Sequence, residues 1–392
     1  MQAESRTALR ELLNDRPSGG IIFTTIQKFV PGEDEDTYPA LTERDNVVVL
    51  CDEAHRTQYG HKARLRSKDG KTTTMQYGYS TYMRNALKNA TFVAFTGTPI
   101  SQGDRDTRAV FGEYVDIYDI EQAMKDKATV PIYYESRLVK LEMDAAVTDT
   151  IDDEIDELTE DEEAAARSRI KSRWAALEKL VAAAPRIDTV AADLVEHFET
   201  RQDSMSGKAM VVCMSREVCV LLYDAIVKLR PQWHDPDPER GAIKVVMTGS
   251  ASDRAALRPH IYSGQVKKSL EKRFKKADDP LKIVLVRDMW LTGFDVPCLT
   301  TMYVDKPMRS HTLMQAIARV NRVFKDKPGG LVVDYIGIAN ELKEALKDYT
   351  QSKGQGRPTV PAGEALEKLL ERLEVAWGML HGWTTPTSAQ TA

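Results

Sequence analysis

Asp52 and Glu53 follow the apolar run Val47-Val48-Val49-Leu50-Cys51 and precede Ala54 and His55. Adjacent carboxylates at the end of a buried-strand pattern suit phosphoryl transfer on a magnesium-bound nucleotide. Asp52 would hold Mg2+, usually through water, and Glu53 would polarise the attacking water. Taken alone, the tetrapeptide leaves room for an acidic helix start, where the dipole favours carboxylates. Far downstream, a helix is predicted from Thr312 to Phe324. Its apolar stripe is Leu313, Ile317, Val320 and Phe324, and Gln315, Arg319 and Arg322 share the opposite face. Two guanidinium groups on one face can pair bidentately with phosphate. A solvated Arg face, with Gln315 closing a capping box from Thr312, is the alternative.

Weaker signals lie between these two. Thr96-Gly97-Thr98-Pro99 closes a strand pattern, and its hydroxyls could sense nucleotide state; an ordinary strand-end turn reads the same. Thr292-Gly293-Phe294-Asp295 follows another strand pattern, with a glycine that lets a backbone approach closely. Thr24, Thr25 and Gln27, and likewise Ser215 and Arg216, sit just past strand patterns. There they could grip a DNA backbone, since phosphate contacts position without reading sequence. Asp69-Gly70-Lys71-Thr72 imitates the end of a phosphate-binding loop, but Leu65 stands where the required glycine belongs, and the order relative to Asp52 is reversed. It reads as a surface loop.

The elements that must position these residues alternate. Strand patterns cover 20–24, 46–51, 91–96, 209–214, 242–247, 282–287, 300–304 and 330–334, and helical patterns separate most of them. Such alternation predicts an α/β protein with parallel sheets, whose functional loops gather beyond the C-terminal strand ends. The motifs fall at those ends. The boundaries read as a first domain over 1–130, a linker with an acidic helical segment over 131–185, a second domain over 186–340, and a helical C-terminal extension with a frayed tail over 341–392.

At 392 residues the chain has room for two or three cores. Its longest apolar runs are strand-sized, so no membrane-spanning helix is predicted. Four cysteines without a C-x-x-C pair read as buried thiols of a cytoplasmic protein. The net charge of -5 argues against wholesale DNA binding, yet the charge is segregated. Residues 149–163 are acidic, whereas Arg254, Arg258, Lys267, Lys268, Lys272, Arg273, Lys275 and Lys276 crowd one stretch. That basic face could hold phosphates or be merely a solvated surface.

The ordered motifs resemble superfamily 2 helicase motors, and more closely the R (restriction, motor) subunit of type I restriction-modification enzymes. The matching stretches are IIFTTIQKF (21–29), DEAHRTQYG (52–60), AFTGTPI (94–100), LTGFDVP (291–297), QAIARVNR (315–322) and GGLVVDYIG (329–337). The resemblance implies two RecA-like motor domains, the first incomplete, plus a short helical C-terminal extension. It implies an ATP- and Mg2+-dependent translocase on double-stranded DNA, working with methyltransferase and specificity subunits. By motif matching, Asp52 and Glu53 would bind Mg2+ and activate water, and His55, Thr96 and Thr98 would couple domains. Gln315, Arg319 and Arg322 would complete the ATP site from the second domain. Against that pattern, no phosphate-binding loop or nuclease cluster is found, and Ala318 stands where many such motors have glycine. The chain therefore reads as truncated at both ends and inactive in isolation. Another superfamily 2 helicase, a type III restriction subunit, or a non-catalytic module that binds DNA or partner subunits remain the alternatives.

Overall fold

The computed structural model describes residues 1–15, 18–29, 39–54, 64–68, 72–76, 79–96, 101–102, 105–106, 111–137, 174–250, 253–308, 310–339, 341–342 and 359–361. Its backbone divides into two units, Met1–Ile117 and Tyr118–Ala392.

In the first unit, Ser5 caps helix α1 (Arg6–Asn14) by accepting from the Ala8 amide at 3.0 Å. Leu9 and Leu13, one turn apart, bury its inner face. Strand β1 (Val48–Cys51) is followed by an antiparallel hairpin of β2 (Arg64–Lys68) and β3 (Thr72–Gln76). Helix α2 (Tyr79–Ala86) and strand β4 (Thr91–Ala94) come next, then a minimal hairpin of β5 (Ser101–Gln102) and β6 (Arg105–Asp106). β1 and β4 pair in parallel, from Val48 opposite Thr91 to Cys51 opposite Ala94. Val49 and Phe92 pack on the core of Leu9, Phe29, Tyr82 and Met83, while Val48 and Leu50 stay exposed. The strand predicted over 20–24 reduces to one bridge between Gln2 and Phe23. Gly19 and Gly20, at φ +70° and +93°, bend the backbone out of the extended region just before it.

The second unit holds a seven-stranded, all-parallel sheet. In chain order its elements are α3 (Ile120–Lys125), β7 (Ile132–Ser136), α4 (Ala184–Ser204), β8 (Lys208–Cys213), α5 (Arg216–Leu229) and β9 (Ile243–Val246). There follow α6 (Gly264–Lys275), β10 (Ile283–Val286), β11 (Leu299–Asp305), α7 (Ser310–Ile317), β12 (Gly330–Asp334) and β13 (Thr359–Pro361). Across the sheet the order is β13-β7-β12-β11-β8-β10-β9. The α/β class with parallel sheets, read from the alternation, is what the structure shows. Strands β8 to β12 lie within a residue or two of their predicted positions, and every residue of them is buried, as parallel sheets covered on both faces require.

Two strands of this sheet were not read from the sequence, nor were the four of the first unit's hairpins. β7 falls at the start of the segment expected to be a linker, and β13 in the segment expected to be helical. β7 pairs β12 from Ile132 opposite Gly330 to Ser136 opposite Asp334, so residues 132–136 belong to the second unit's sheet. Its polar members, Glu135 and Ser136, hide the apolar alternation that marks a strand.

Those polar members are matched by α4. Asp193, His197 and Arg201, four residues apart, line the helix face turned to the sheet. The Tyr335 hydroxyl donates to Asp193 at 2.6 Å, and Arg137 grips the same carboxylate. The Tyr303 hydroxyl lies 2.8 Å from His197 Nδ1, while His197 Nε2 faces Glu135 at 3.4 Å. Burial pushes the Tyr303 phenol up. Arg201 donates to the Thr301 hydroxyl at 2.9 Å. Deeper, Arg186 pairs bidentately with the buried Asp305, at 2.5 and 3.1 Å.

The hydrogen bond from His197, aided by Arg137, holds the Glu135 carboxyl down from 4.5 to about 2, against the upward pull of burial. A carboxylate depressed in the fold contributes stability above its unfolded value and loses it as pH falls through the folded one. Glu135→Gln should therefore melt lower than wild type near pH 7. The gap should close between about pH 4.5 and 2, followed by circular dichroism. A pH-independent gap would show that the seam's stability does not run through this carboxylate.

Candidate functional site

The parallel register of β1 and β4 puts their C-terminal ends side by side. Phe95 donates its amide to Cys51 at 2.8 Å, and Ala54 donates to the Phe95 carbonyl at 3.2 Å. Pairing thus continues one step past the strands, and the Asp52-Glu53 turn stands beside Thr96. Asp52 and Glu53 are exposed and Thr96 is half-buried. Glu53 sits at φ +49°, in the left-handed region, which costs a side chain with Cβ about 1–2 kcal/mol. Its amide is held by Asp52 Oδ1 at 2.9 Å. His55 and Thr98 lie outside the described residues. Thr24, Thr25 and Gln27 are exposed. Gln27 rides a short 3-10 turn, Ile26–Phe29, whose Phe29 is buried. The Gly-Lys-Thr imitation falls between β2 and β3, two antiparallel strands, which is not the strand–loop–helix setting of a phosphate-binding loop.

In the second unit the loop after β10 and the segment after α7 form one constellation. The helix predicted to Phe324 ends at Ile317. Ala318 still bonds back four residues, to Met314, but Arg319 and Val320 bond back only three, to Ala316 and Ile317. Beyond them the chain leaves the helix to pair with residues 129–130: Val130 donates to the Asn321 carbonyl at 2.7 Å, and Thr129 bridges Arg322. The two guanidinium groups therefore do not share one helix face. Arg319 turns onto the loop after β10, donating from Nε to the Leu291 carbonyl at 2.9 Å and from Nη1 to the Phe294 carbonyl at 2.6 Å. Arg322 is half-exposed, with Nε 3.1 Å from Asp295 Oδ1. Gln315, on α7, is half-buried.

The loop itself is pinned by Phe294, buried and stacked on Trp290 with centroids 4.4 Å apart and on Phe274 at 6.4 Å. That leaves Thr292, Gly293 and Asp295 on the surface, Gly293 at φ +64°. Lys327, which the sequence did not single out, ties the far end of the Arg322 segment. Its ammonium donates to the carbonyls of Leu299, at 2.7 Å, and Arg322, at 3.1 Å. Burial pushes the Lys327 amine down to about 8.

Ser215 and Arg216, expected on a DNA backbone, are engaged within the fold. Ser215 Oγ caps α5, accepting from the Val218 amide at 3.2 Å. Arg216 pairs with Asp253 through two bonds of 2.9 and 2.7 Å and donates to the Thr248 carbonyl at 2.9 Å. The Arg216 guanidinium, with the Ser250 amide, holds the Asp253 carboxyl below its usual range. Asp253 was not legible in advance, since a lone aspartate in a polar loop carries no sign of its partner. Lys306, after β11, is likewise held by Asp288 at 2.9 Å.

The two arginines predict opposite phenotypes. Arg319→Ala strands two carbonyls of buried residues and should cost about 1–3 kcal/mol in urea unfolding. Arg319→Lys should recover little of that, because one ammonium cannot replace the fork. Arg322→Ala breaks a half-exposed pair and should cost less than about 1 kcal/mol. Equal costs for the two would overturn the division between a clamp on the loop and a surface arginine.

The SWI2/SNF2 ATPase family matches residues 1–168, and type I restriction enzyme subunit R domain 3 matches residues 256–337. The type I restriction enzyme HindI endonuclease subunit of Haemophilus influenzae is 50% identical over 380 residues, 95% of this chain and 34% of that protein. A candidate type I restriction enzyme endonuclease subunit of Methanocaldococcus jannaschii, MjaIXP, is 45% identical over 352 residues, 89% of this chain and 31% of that protein. A solved fragment described as an HsdR subunit of a type I restriction enzyme from Vibrio vulnificus YJ016 superposes with a TM-score of 0.47 at 20% identity, over 70% of this chain and 44% of that one. The chain spans about a third of the length of the curated relatives it matches. Over nearly all its own length it is a homologue of type I restriction enzyme endonuclease (R) subunits, with a SWI2/SNF2-type ATPase segment followed by a segment of their domain 3.

Proposed function

We propose that this chain is motor machinery of a type I restriction R subunit, driving translocation along double-stranded DNA by ATP hydrolysis. The observation that carries the reading is the side-by-side placement of Asp52-Glu53 and Thr96 by the β1–β4 register. Its partners in the parent enzyme are double-stranded DNA and the methyltransferase and specificity subunits.

The donor set fits a metal that arrives with a nucleotide. Among the described residues no group of three or more His, Cys, Asp or Glu side chains could hold a metal alone. Mg2+ is commonly held by one or two carboxylates together with substrate phosphates, and the exposed Asp52 supplies one. When bound, the ion neutralises charge on the phosphates. Glu53 orients and deprotonates the attacking water. Thr96, with His55 and Thr98, relays nucleotide state. Arg322 offers its exposed terminal nitrogens to phosphate, and Gln315 assists in nucleotide binding. Arg319 serves as a positioning residue, through its bonds to the loop 291–294. That loop presents Thr292, Gly293 and Asp295 to DNA in the second unit, and the exposed Thr24, Thr25 and Gln27 are the DNA-facing residues of the first; Ser215 and Arg216, held within the fold, position their loop instead.

Hydrolysis of ATP by a full-length R subunit carrying this segment, with and without duplex DNA, tests the reading directly. Glu53→Gln should lower DNA-stimulated turnover by about 10²-fold or more. Arg322→Ala should lower it by about 10³-fold while leaving the fold intact. Turnover of the wild-type subunit no greater than that of Glu53→Gln would favour a second reading, a segment that binds DNA or partner subunits without hydrolysing ATP.

A further inference from the structure

The cations of residues 254–276 divide into three kinds. Arg273 is buried, its guanidinium spent on the carbonyls of Pro238, Arg240 and Gly241 and on Asp279. Lys275 and Lys276 are neutralised by Glu271 at 2.6 Å and Asp278 at 3.6 Å. Arg254, Arg258, Lys267, Lys268 and Lys272 make no ion pair among the described residues. Arg254, Arg258, Lys268 and Lys272 are exposed.

They fall on two elements. Ser263 caps α6, and Leu270 and Phe274 bury one side of the helix. Lys268 and Lys272, one turn apart, stand on the outer side, about 6 Å apart along the axis. Arg254 and Arg258 lie on the short 3-10 segment that leads into α6. That segment starts beside Asp253, the partner of Arg216 at the end of β8. The exposed cations thus lie on two consecutive elements between β9 and β10, the 254–258 segment and α6.

The chemistry of the face narrows its partner. Val266, Leu270 and Phe274 pack on the core, so no apolar stripe is left to enter a lipid surface. The exposed side carries no aromatic ring on which unpaired bases could stack. What remains is a row of unpaired cations, suited to a regular array of phosphates.

We propose that the outer face of α6 with the 254–258 segment is a sequence-independent binding surface for the phosphate backbone of duplex DNA, outside the motif residues. This rests on the DNA reading above and adds a surface to it. The test is fluorescence anisotropy of a labelled blunt duplex with the whole chain at several salt concentrations. Arg258→Ala/Lys268→Ala/Lys272→Ala should weaken binding about 10-fold or more at low salt and flatten the log–log salt slope by about 2 to 3. Lys88→Ala/Lys179→Ala/Lys228→Ala removes the same charge from exposed positions outside the segment and should leave the slope nearly unchanged. Equal effects from both triple variants would mean that only net charge matters and would overturn the surface. Unchanged affinity and slope in the first variant, with its thermal melt intact, would overturn it too. A wild-type chain that binds no duplex would remove the DNA reading as well, so the two failures are distinguishable.

Discussion

The structure depends on the burial of a parallel sheet on both of its faces. β8 sits near the middle of the second unit's sheet, with β10 on one side and β11 on the other, and all six of its residues are buried. Even Lys208, at its start, is taken in, with its ammonium on the Arg273 carbonyl at 2.9 Å and over the Phe274 ring. Parallel strands must be reached by crossovers, and the helices α4, α5 and α6 provide them. The consequence for chemistry is geometric: every strand points the same way, so every strand-end loop emerges along one edge. Arg216, Arg287 and Lys306 follow three adjacent strands for that reason alone.

Burial at this scale leaves backbone polar groups that water cannot reach, and the fold satisfies them with cations. Arg273 serves three carbonyls, Lys327 two, and Arg319 two. The price of such burial appears in the amines, since desolvation pushes both Lys208 and Lys327 down to about 8. This is why a positive side chain near a motif is a poor guide to its role. Arg319 and Arg322 are three residues apart, yet one closes a loop from behind and the other stands half in solvent. The difference arises where α7 stops, because pairing of Asn321 with Val130 outcompetes another helical turn.

Much of this was legible. The mostly apolar strands β8 to β12 announce themselves, since strands buried on both faces read as near-continuous hydrophobic runs. The Asp52-Glu53 pair and Thr96 were legible as neighbours because strand ends in a parallel sheet meet. β7 was not legible: Glu135 and Ser136 break its pattern, and the partners of Glu135 and the following Arg137, His197 and Asp193, lie 56 and more residues away. The register of that seam is written in complementary polar pairs rather than in hydrophobic periodicity. The end of α7 was hidden for a similar reason. Local apolar spacing favours helix to Phe324, but a bridge to a strand-like segment nearly 200 positions earlier decides otherwise.

The two units hold their candidate residues on unequal supports. Around Thr292 to Asp295 the chain is fixed by stacked rings, a half-buried guanidinium and a fully covered strand. Asp52 and Glu53 stand on β1, where Val49 packs inward while Val48 and Leu50 are 60% and 66% exposed. Ile21 and Phe23, at 70% and 65%, are also open to solvent. A parallel pair covered on one face alone has fewer apolar contacts opposing local opening, and the turn it carries includes a left-handed glutamate. Such strain persists only where surrounding structure over-determines it. Through the Ala54–Phe95 and Phe95–Cys51 bonds, the position of Glu53 follows that of this half-covered strand pair.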